Sequence, residues 1–423
     1  MSALDSRTGR HRHHGKGEPA TVVIHGHGHG HGHGHGPAVA ASRRVRMLLA
    51  AALIPVALAI LIGLWLTWPG DPPRSKIDVG FGQRPVQGQV LAASSAPCTS
   101  GSTGAGQAKN CISLNVLLTN GDSPGVMIQQ VLPDEPSTPH FTAGDDIVLA
   151  YTGGNPSESE SYQIQDFQRG SSMLWLAALF AAAVLLLGRW RGLASLLALG
   201  FSFLVLAVYL FPAVLTGASP VVVGVLAAGV IMFGVLYLTH GLSAQTSSAV
   251  LGTVLSLALI GVLGTAFSAA TRLTGLDDDT AKLIGVLGHG IDARGLLLAG
   301  MVIGALGVLD DVTVTQTSAV WELRRANPEL GIRALYTSAL RIGRDHISSA
   351  VNTLALAYTG AALPVLLIFS LSGQGFGTMV TTQDIAQEVV RTLIGSIGLV
   401  AAVPITTGIA ALVARHDDIE PAG

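Results

Sequence analysis

Eight apolar runs of 17–23 residues constrain this 423-residue chain more than any other feature. They are Met47–Trp68, Ser172–Gly188, Leu193–Phe211, Pro220–Leu238, Ala249–Phe267, Gly295–Val314, Ser349–Leu371 and Thr392–Val413. At about 1.5 Å per residue, roughly 20 residues cross the hydrocarbon of a bilayer. Charged residues make up only 12% of the chain, about half the usual share of a soluble protein. Its 52 glycines suit helices that approach closely in lipid. A net charge of −2 argues against a nucleic-acid partner. The fold class is therefore a mainly α membrane protein, an eight-transmembrane-helix bundle with one soluble insert.

Arginines set the expected orientation. Arg43, Arg44 and Arg46 precede the first run, which is too long for a signal peptide and lacks a small-x-small cleavage pattern. It reads as an uncleaved helix with the N-terminus in the cytoplasm. An even count returns the C-terminus there. Inner loops then hold Arg189, Arg191, Arg324, Arg325, Arg333, Arg341 and Arg344; outer loops hold Arg272, Lys282, Arg294 and Arg391. The expected location is the inner (plasma) membrane of a bacterial cell. Residues 281–294 are apolar but broken by glycines, and read as a short interfacial or re-entrant helix.

The domain plan has five parts: a cytoplasmic tail (1–46), helix 1 (47–68), an outer β-rich domain (69–169), a seven-helix bundle (170–414) and a short tail (415–423). In the outer domain KIDVGFGQ, PVQGQVLAA, CISLNVLLTNGD, GVMIQQVLP, FTAGDDIVLAYT and SYQIQDFQ alternate in the strand manner. Five or six short strands point to a small β-barrel or sandwich. Cys98 and Cys111, the only cysteines, flank a Gly/Ser-rich loop and would close it by a disulfide in an oxidising compartment. The first tail is polar, biased and expected to be disordered. Its His-Gly run carries His25, His27, His29, His31, His33 and His35. Imidazoles at flexible spacing offer loose binding to a divalent transition metal, or form a neutral low-complexity tract.

The chemistry is expected around GLLLAGMVIGALGVLDDVTVTQTSAVWE, residues 295–322. Gly300, Gly304 and Gly307 share one helix face and predict a small-residue packing seam. Asp311 continues that stripe, and Thr315, Ser318 and Glu322 extend it. Such oxygens suit protons and hard cations. Asp310 points about 100° away and reads as an auxiliary charge. Alternatively the aspartates cap the start of a new cytoplasmic helix. Downstream, Asp345, Ser349 and Asn352 share a face, and Arg344 or Arg341 would neutralise Asp311 or Asp310 across the bundle. Interfacial snorkelling is the competing reading of the arginines. His289, Asp292 and Arg294 form either an outer ion site or a solvated interface. Pro364 and Pro404, the latter followed by Thr406 and Thr407, interrupt the last two runs, as in cavity-lining broken helices or ordinary kinks.

Two stretches carry a resemblance: GLLLAGMVIGALGVLDDVTVTQTSAVWEL and IGRDHISSAVNTLALAYTGAALP. Together with the order of basic helix, β-rich insert and helical bundle, they resemble the YibE/F family of bacterial multi-pass membrane proteins, over roughly residues 80–413. Asp311, Ile342–Asp345 and Asn352–Thr353 match the family pattern, whereas Asp310 stands where many members have an apolar residue. The resemblance implies a membrane protein linked to transport, without an established activity.

The leading expectation is a secondary transporter or permease-like protein, not an enzyme, with an intramembrane carboxylate site. No required cofactor is implied; the partners are the bilayer and a small solute or ion. The alternative is a non-transporting scaffold whose outer β-domain binds an envelope protein. GxxxxGK[ST], HExxH and GxSxG are absent, so ATP coupling and the commonest hydrolase chemistries find no support. An aspartyl hydrolase would need two converging carboxylates, and adjacent aspartates on one helix diverge.

Overall fold

The computed structural model describes residues 42–70, 83–98, 110–287, 290–371, 373 and 375–416. The His25–His35 run, His289 and most of the first expected strand lie outside them.

The first helix, α1 (Arg43–Leu66), is capped by Ser42, whose Oγ accepts from Val45 N–H. Five strands follow: β1 (Arg84–Pro97), β2 (Asn110–Leu118), β3 (Met127–Pro133), β4 (Asp146–Tyr151) and β5 (Tyr162–Phe167). They build one antiparallel sheet in the order β3-β2-β1-β4-β5. Alternation decides which face is inside: Ile112, Leu114, Val116 and Leu118 of β2 are buried with Val86, Val90, Ile147, Leu149, Phe141 and Tyr162. Ser159, one turn before β5, takes the N–H of Gln129 on its Oγ and the side-chain amide of Gln130 on its carbonyl. The edge strand β3 is thus tied to the turn before β5, and the single sheet curls over its core. Of the expected barrel or sandwich, neither two face-packed sheets nor pairing of β3 with β5 is present among the described residues. The Cys98–Cys111 disulfide is present and ties the end of β1 to the start of β2.

The helical part begins with α2 (Gly170–Val205), which runs through a π-helical turn at Leu206–Leu210 into α3 (Phe211–Leu215). Arg189 breaks this path with φ 50° and ψ −127°. Just beyond it, a Cβ at Gly192 would run into the carbonyl oxygen of Val184, eight residues earlier. A straight helix separates such residues by about 12 Å, so the chain turns sharply at Arg189.

Then come α4 (Pro220–His240), α5 (Ala244–Ala270), α6 (Asp278–Leu287), α7 (Ala293–Ala326), α8 (Ile332–Ala361), α9 (Leu363–Leu371), α10 (Phe376–Val380) and α11 (Gln383–Arg415). Their ends follow local rules. Pro220 opens α4, and Gly241 at φ 73° closes it. Ser243 caps α5 by accepting from Thr246 N–H, and Asp292 caps α7 by accepting from Gly295 N–H. Six helices among the described residues are long and apolar enough to cross a membrane, or seven if α8 and α9, bent by 62°, form one span. The ten-residue α6 is too short to cross, as expected for 281–294.

The helical core divides into connected clusters. Val223, Ala227, Ile231, Met232 and Leu236 of α4 pack with Leu53, Tyr209, Val302 and Leu306. Ile260, Leu297, Met301, Leu309, Leu399, Ala402 and Val403 join α5, α7 and α11. Ser42 Oγ also donates to the carbonyl of His416 at 2.8 Å, so the start of α1 and the end of α11 sit at the same end of the bundle.

Candidate functional site

The α7 helix is continuous through both aspartates, so they do not cap a new helix. Its face toward the bundle is apolar: Leu297, Leu298, Met301, Val302, Ala305, Leu306 and Leu309 are buried. This face, not the glycine stripe, is the packing seam. Gly300 and Gly307 are exposed with nothing near their missing Cβ positions, and Gly304 meets only the Tyr358 hydroxyl. Large apolar side chains on the other face outbid the glycines for the core. Asp311 follows the glycines outward and its side chain is 75% exposed. Its neighbour is His346 of α8, Nε2 to Oδ2 3.7 Å.

Asp310 turns inward. Its Oδ1 is buried, and nothing among the described residues hydrogen-bonds to it. Three marks fix its level. A Cβ at Gly224 of α4 would lie 2.6 Å from the Cβ of Ala299, so Asp310, eleven residues on, is level with Val235. Thr253 of α5 and Thr313 of α7 share a buried hydroxyl bond of 2.9 Å. Thr407 of α11 donates to Gln316 Oε1 at 2.9 Å, also buried. The carboxylate therefore lies within the lengths of α4, α5 and α11, inside the membrane-crossing part.

A polar seam also runs along the three helices that form the inner core. Thr253 and Ser256 of α5, Thr313, Gln316 and Thr317 of α7, and Thr406 and Thr407 of α11 are all buried. Most hydroxyls return a bond to their own helix, as Thr253 does to Ala249 O and Ser256 to Gly252 O. Thr406 Oγ1 is buried with no partner among the described residues. Glycines permit this approach: a Cβ at Gly252 would collide with Thr406 Oγ1, and one at Gly343 of α8 would lie 2.6 Å from both Gln316 Nε2 and Val403 Cγ1.

The remaining expected residues scatter. Thr315 is half-buried; Glu322 is exposed and pairs with Arg325 at 3.0 Å, a local i,i+3 contact. Arg341, Arg344, Asp345 and Asn352 are exposed on α8. Neither arginine reaches an aspartate; among the described residues, His346 alone pairs with Asp311. Asp292 is the α7 cap, and Arg294 donates from Nε to Leu273 O at 3.0 Å. Among the described residues no cluster of three His, Cys, Asp or Glu side chains could hold a metal. Thr253, Gln316 and His346 escaped the sequence reading. A glutamine six residues beyond Asp310, among threonines at helical spacing, was the available signal.

The site lies inside a family match. The model of the YibE/F-like protein family matches residues 176–416, from α2 to the end of α11 and leaving the sheet outside. No curated protein and no solved structure matches the chain. The matched segment is more than half of the sequence and includes Asp310, Asp311, Arg344, Asp345 and Asn352. The chain belongs to the YibE/F-like family.

Proposed function

We propose that this membrane protein is a secondary transporter or permease-like protein in which Asp310 reversibly binds a proton or a small cation. The observation that carries the reading is the buried Oδ1 of Asp310, with no hydrogen-bond partner among the described residues and within the span, on a helix that also carries the buried Thr313 and Thr317 hydroxyls. An ionised carboxylate there is costly unless something neutralises it. A bound proton or cation does so, and hydroxyl oxygens supply further ligands to a hard cation. Asp311 and His346, open to the surface of α7 and α8, form an approach to that site. This reverses the ranking of the two aspartates expected from the glycine stripe.

The reading includes eight crossings, with both ends in the cytoplasm of a bacterial cell and the sheet outside. Three features support it: the sharp turn at Arg189, a 46-residue path from Gly170 to Leu215 long enough for two crossings, and the Ser42–His416 contact, which fits an even number. The sheet would gate or engage a partner on the outer side.

The test is cellular metal and alkali-cation content in a deletion strain restored with wild type, Asp310→Asn, Asp311→Asn, or a chain lacking residues 25–36, at equal membrane abundance. One cation is expected to shift with deletion. Asp310→Asn should lose at least tenfold of the restoring flux and Asp311→Asn less. The tail deletion reports whether the histidines feed the pathway. Full restoration by Asp310→Asn would sink the reading and favour the scaffold whose sheet binds an envelope protein.

A further inference from the structure

The outward side of α8 carries polar groups that this chain leaves uncovered. Arg341, Asp345, Ser349 and Asn352 fall within an arc of about 80° on an ideal helix, and all four are exposed. Gly343 and Leu354, buried against the bundle, lie on the opposite side of α8. Depth makes the exposure costly. Gly343 abuts Gln316 and Val403, and Tyr358 reaches Gly304, so this part of α8 lies along the middle of α7. Asn352 falls between those marks, at about the level of Asp310 and facing away from it. Among the described residues no hydrogen bond or ion pair engages the side chains of Arg341, Asp345 or Asn352.

We infer that two copies of this chain pair through the outward face of α8, each Arg341 meeting the partner's Asp345 and the two Asn352 amides bonding across the two-fold axis. The pattern is complementary to itself. About a two-fold axis normal to the membrane, the two α8 helices run parallel and like residues stand level. Arg341 and Asp345 are one turn apart, so each long Arg341 side chain reaches diagonally, one turn along, to the partner's Asp345, and the axis makes two such pairs. A carboxamide carries both donor and acceptor, so two of them satisfy each other. In lipid, where apolar contact gives no drive between helices, such amide bonds promote association. Ser349, one turn before Asn352, lets the backbones approach. The inference does not use Asp310 and stands apart from the proposed transport.

The test uses the full chain in native membranes and in detergent. Both native cysteines are joined in the sheet, so single cysteines on α8 report cleanly. Under mild oxidation Asn352→Cys and Ser349→Cys are expected to form a species of twice the chain's mass, and Val262→Cys, exposed on α5, is not. Asn352→Leu should weaken the dimer about tenfold. Asp345→Arg should dissociate it, and Arg341→Asp combined with Asp345→Arg should restore it. That recovery separates pairing from misfolding. A monomer by mass in both settings, cross-links to a different protein, or equal cross-linking at Val262 would each overturn the inference.

Discussion

Gly343 shows what a single missing side chain does in this bundle. It is where α8 enters the groove between α7 and α11, with Gln316 Nε2 and Val403 Cγ1 each 2.6 Å from where its Cβ would be. Both neighbours are buried, so neither swings out of the way cheaply. Gly343→Ala should therefore destabilise the purified protein by about 1–3 kcal/mol, the usual cost of overpacking. Gly307→Ala, on the open stripe, should be neutral or stabilising by up to ~1 kcal/mol through helix propensity. Thermal unfolding of the two variants decides it, and equal melting shifts would refute the packing account. The same contrast explains a limit of sequence reasoning. Residues 300, 304 and 307 repeat with the period of a helix face, but periodicity names a face without saying where it looks. Only the competing apolar face of α7, with Leu297, Met301, Ala305 and Leu309, decides that Asp310 points in and Asp311 out.

At the scale of elements, strands were more legible than helix ends. Five of the six expected strands appear, because β2 and its neighbours alternate with period two and NG marks the turn after β2. The curl of the sheet was not legible, since it rests on Ser159 reaching Gln129 and Gln130 across about thirty positions of chain. The helices overran the apolar windows in the other direction. Ser349 looked like the start of a crossing, yet α8 begins at Ile332, because its first turns are amphipathic and stay helical against Trp321, Ala410 and Ala414. The Cys98–Cys111 bridge is the element-level feature easiest to test. It closes a loop with a sequence separation of 13, for which chain-entropy reasoning gives roughly 3 kcal/mol. Replacing both cysteines by serine should lower the stability of the sheet by about that amount, read as faster proteolysis of the sheet in the full chain at rising temperature. The helical bundle should keep its protease resistance. No change in the sheet would mean the bridge adds nothing to a core already complete with Leu114, Val116 and Leu149.

For the whole molecule the decisive question is how often the chain crosses. The sequence showed eight apolar runs, whereas the helices alone number six or seven by length, because Ser172–Gly188 and Leu193–Phe211 lie in one helical path. Parity excludes seven and leaves six, with α8–α9 not crossing, or eight. If that path crossed once and the bent α8–α9 pair also crossed, the total would be seven, and the two ends of the bundle would lie on opposite sides. Ser42 and His416 are hydrogen-bonded to each other. In the proposed eight-span reading the Gly170–Leu215 path crosses twice, and the sharp turn at Arg189 falls in a residue pair, Arg189 and Arg191, of the kind that stays in the cytoplasm. Reporter fusions test this without disturbing the fold upstream. Fusions after Arg191 and after His416 should report the cytoplasm, and a fusion after Gly217 should report the side that carries the sheet. If the path crosses only once, the Gly217 fusion reports the cytoplasm instead. Every later segment of the proposed orientation would then invert, placing the arginines of the α7–α8 connection outside and removing the basis for reading that side as the inner face.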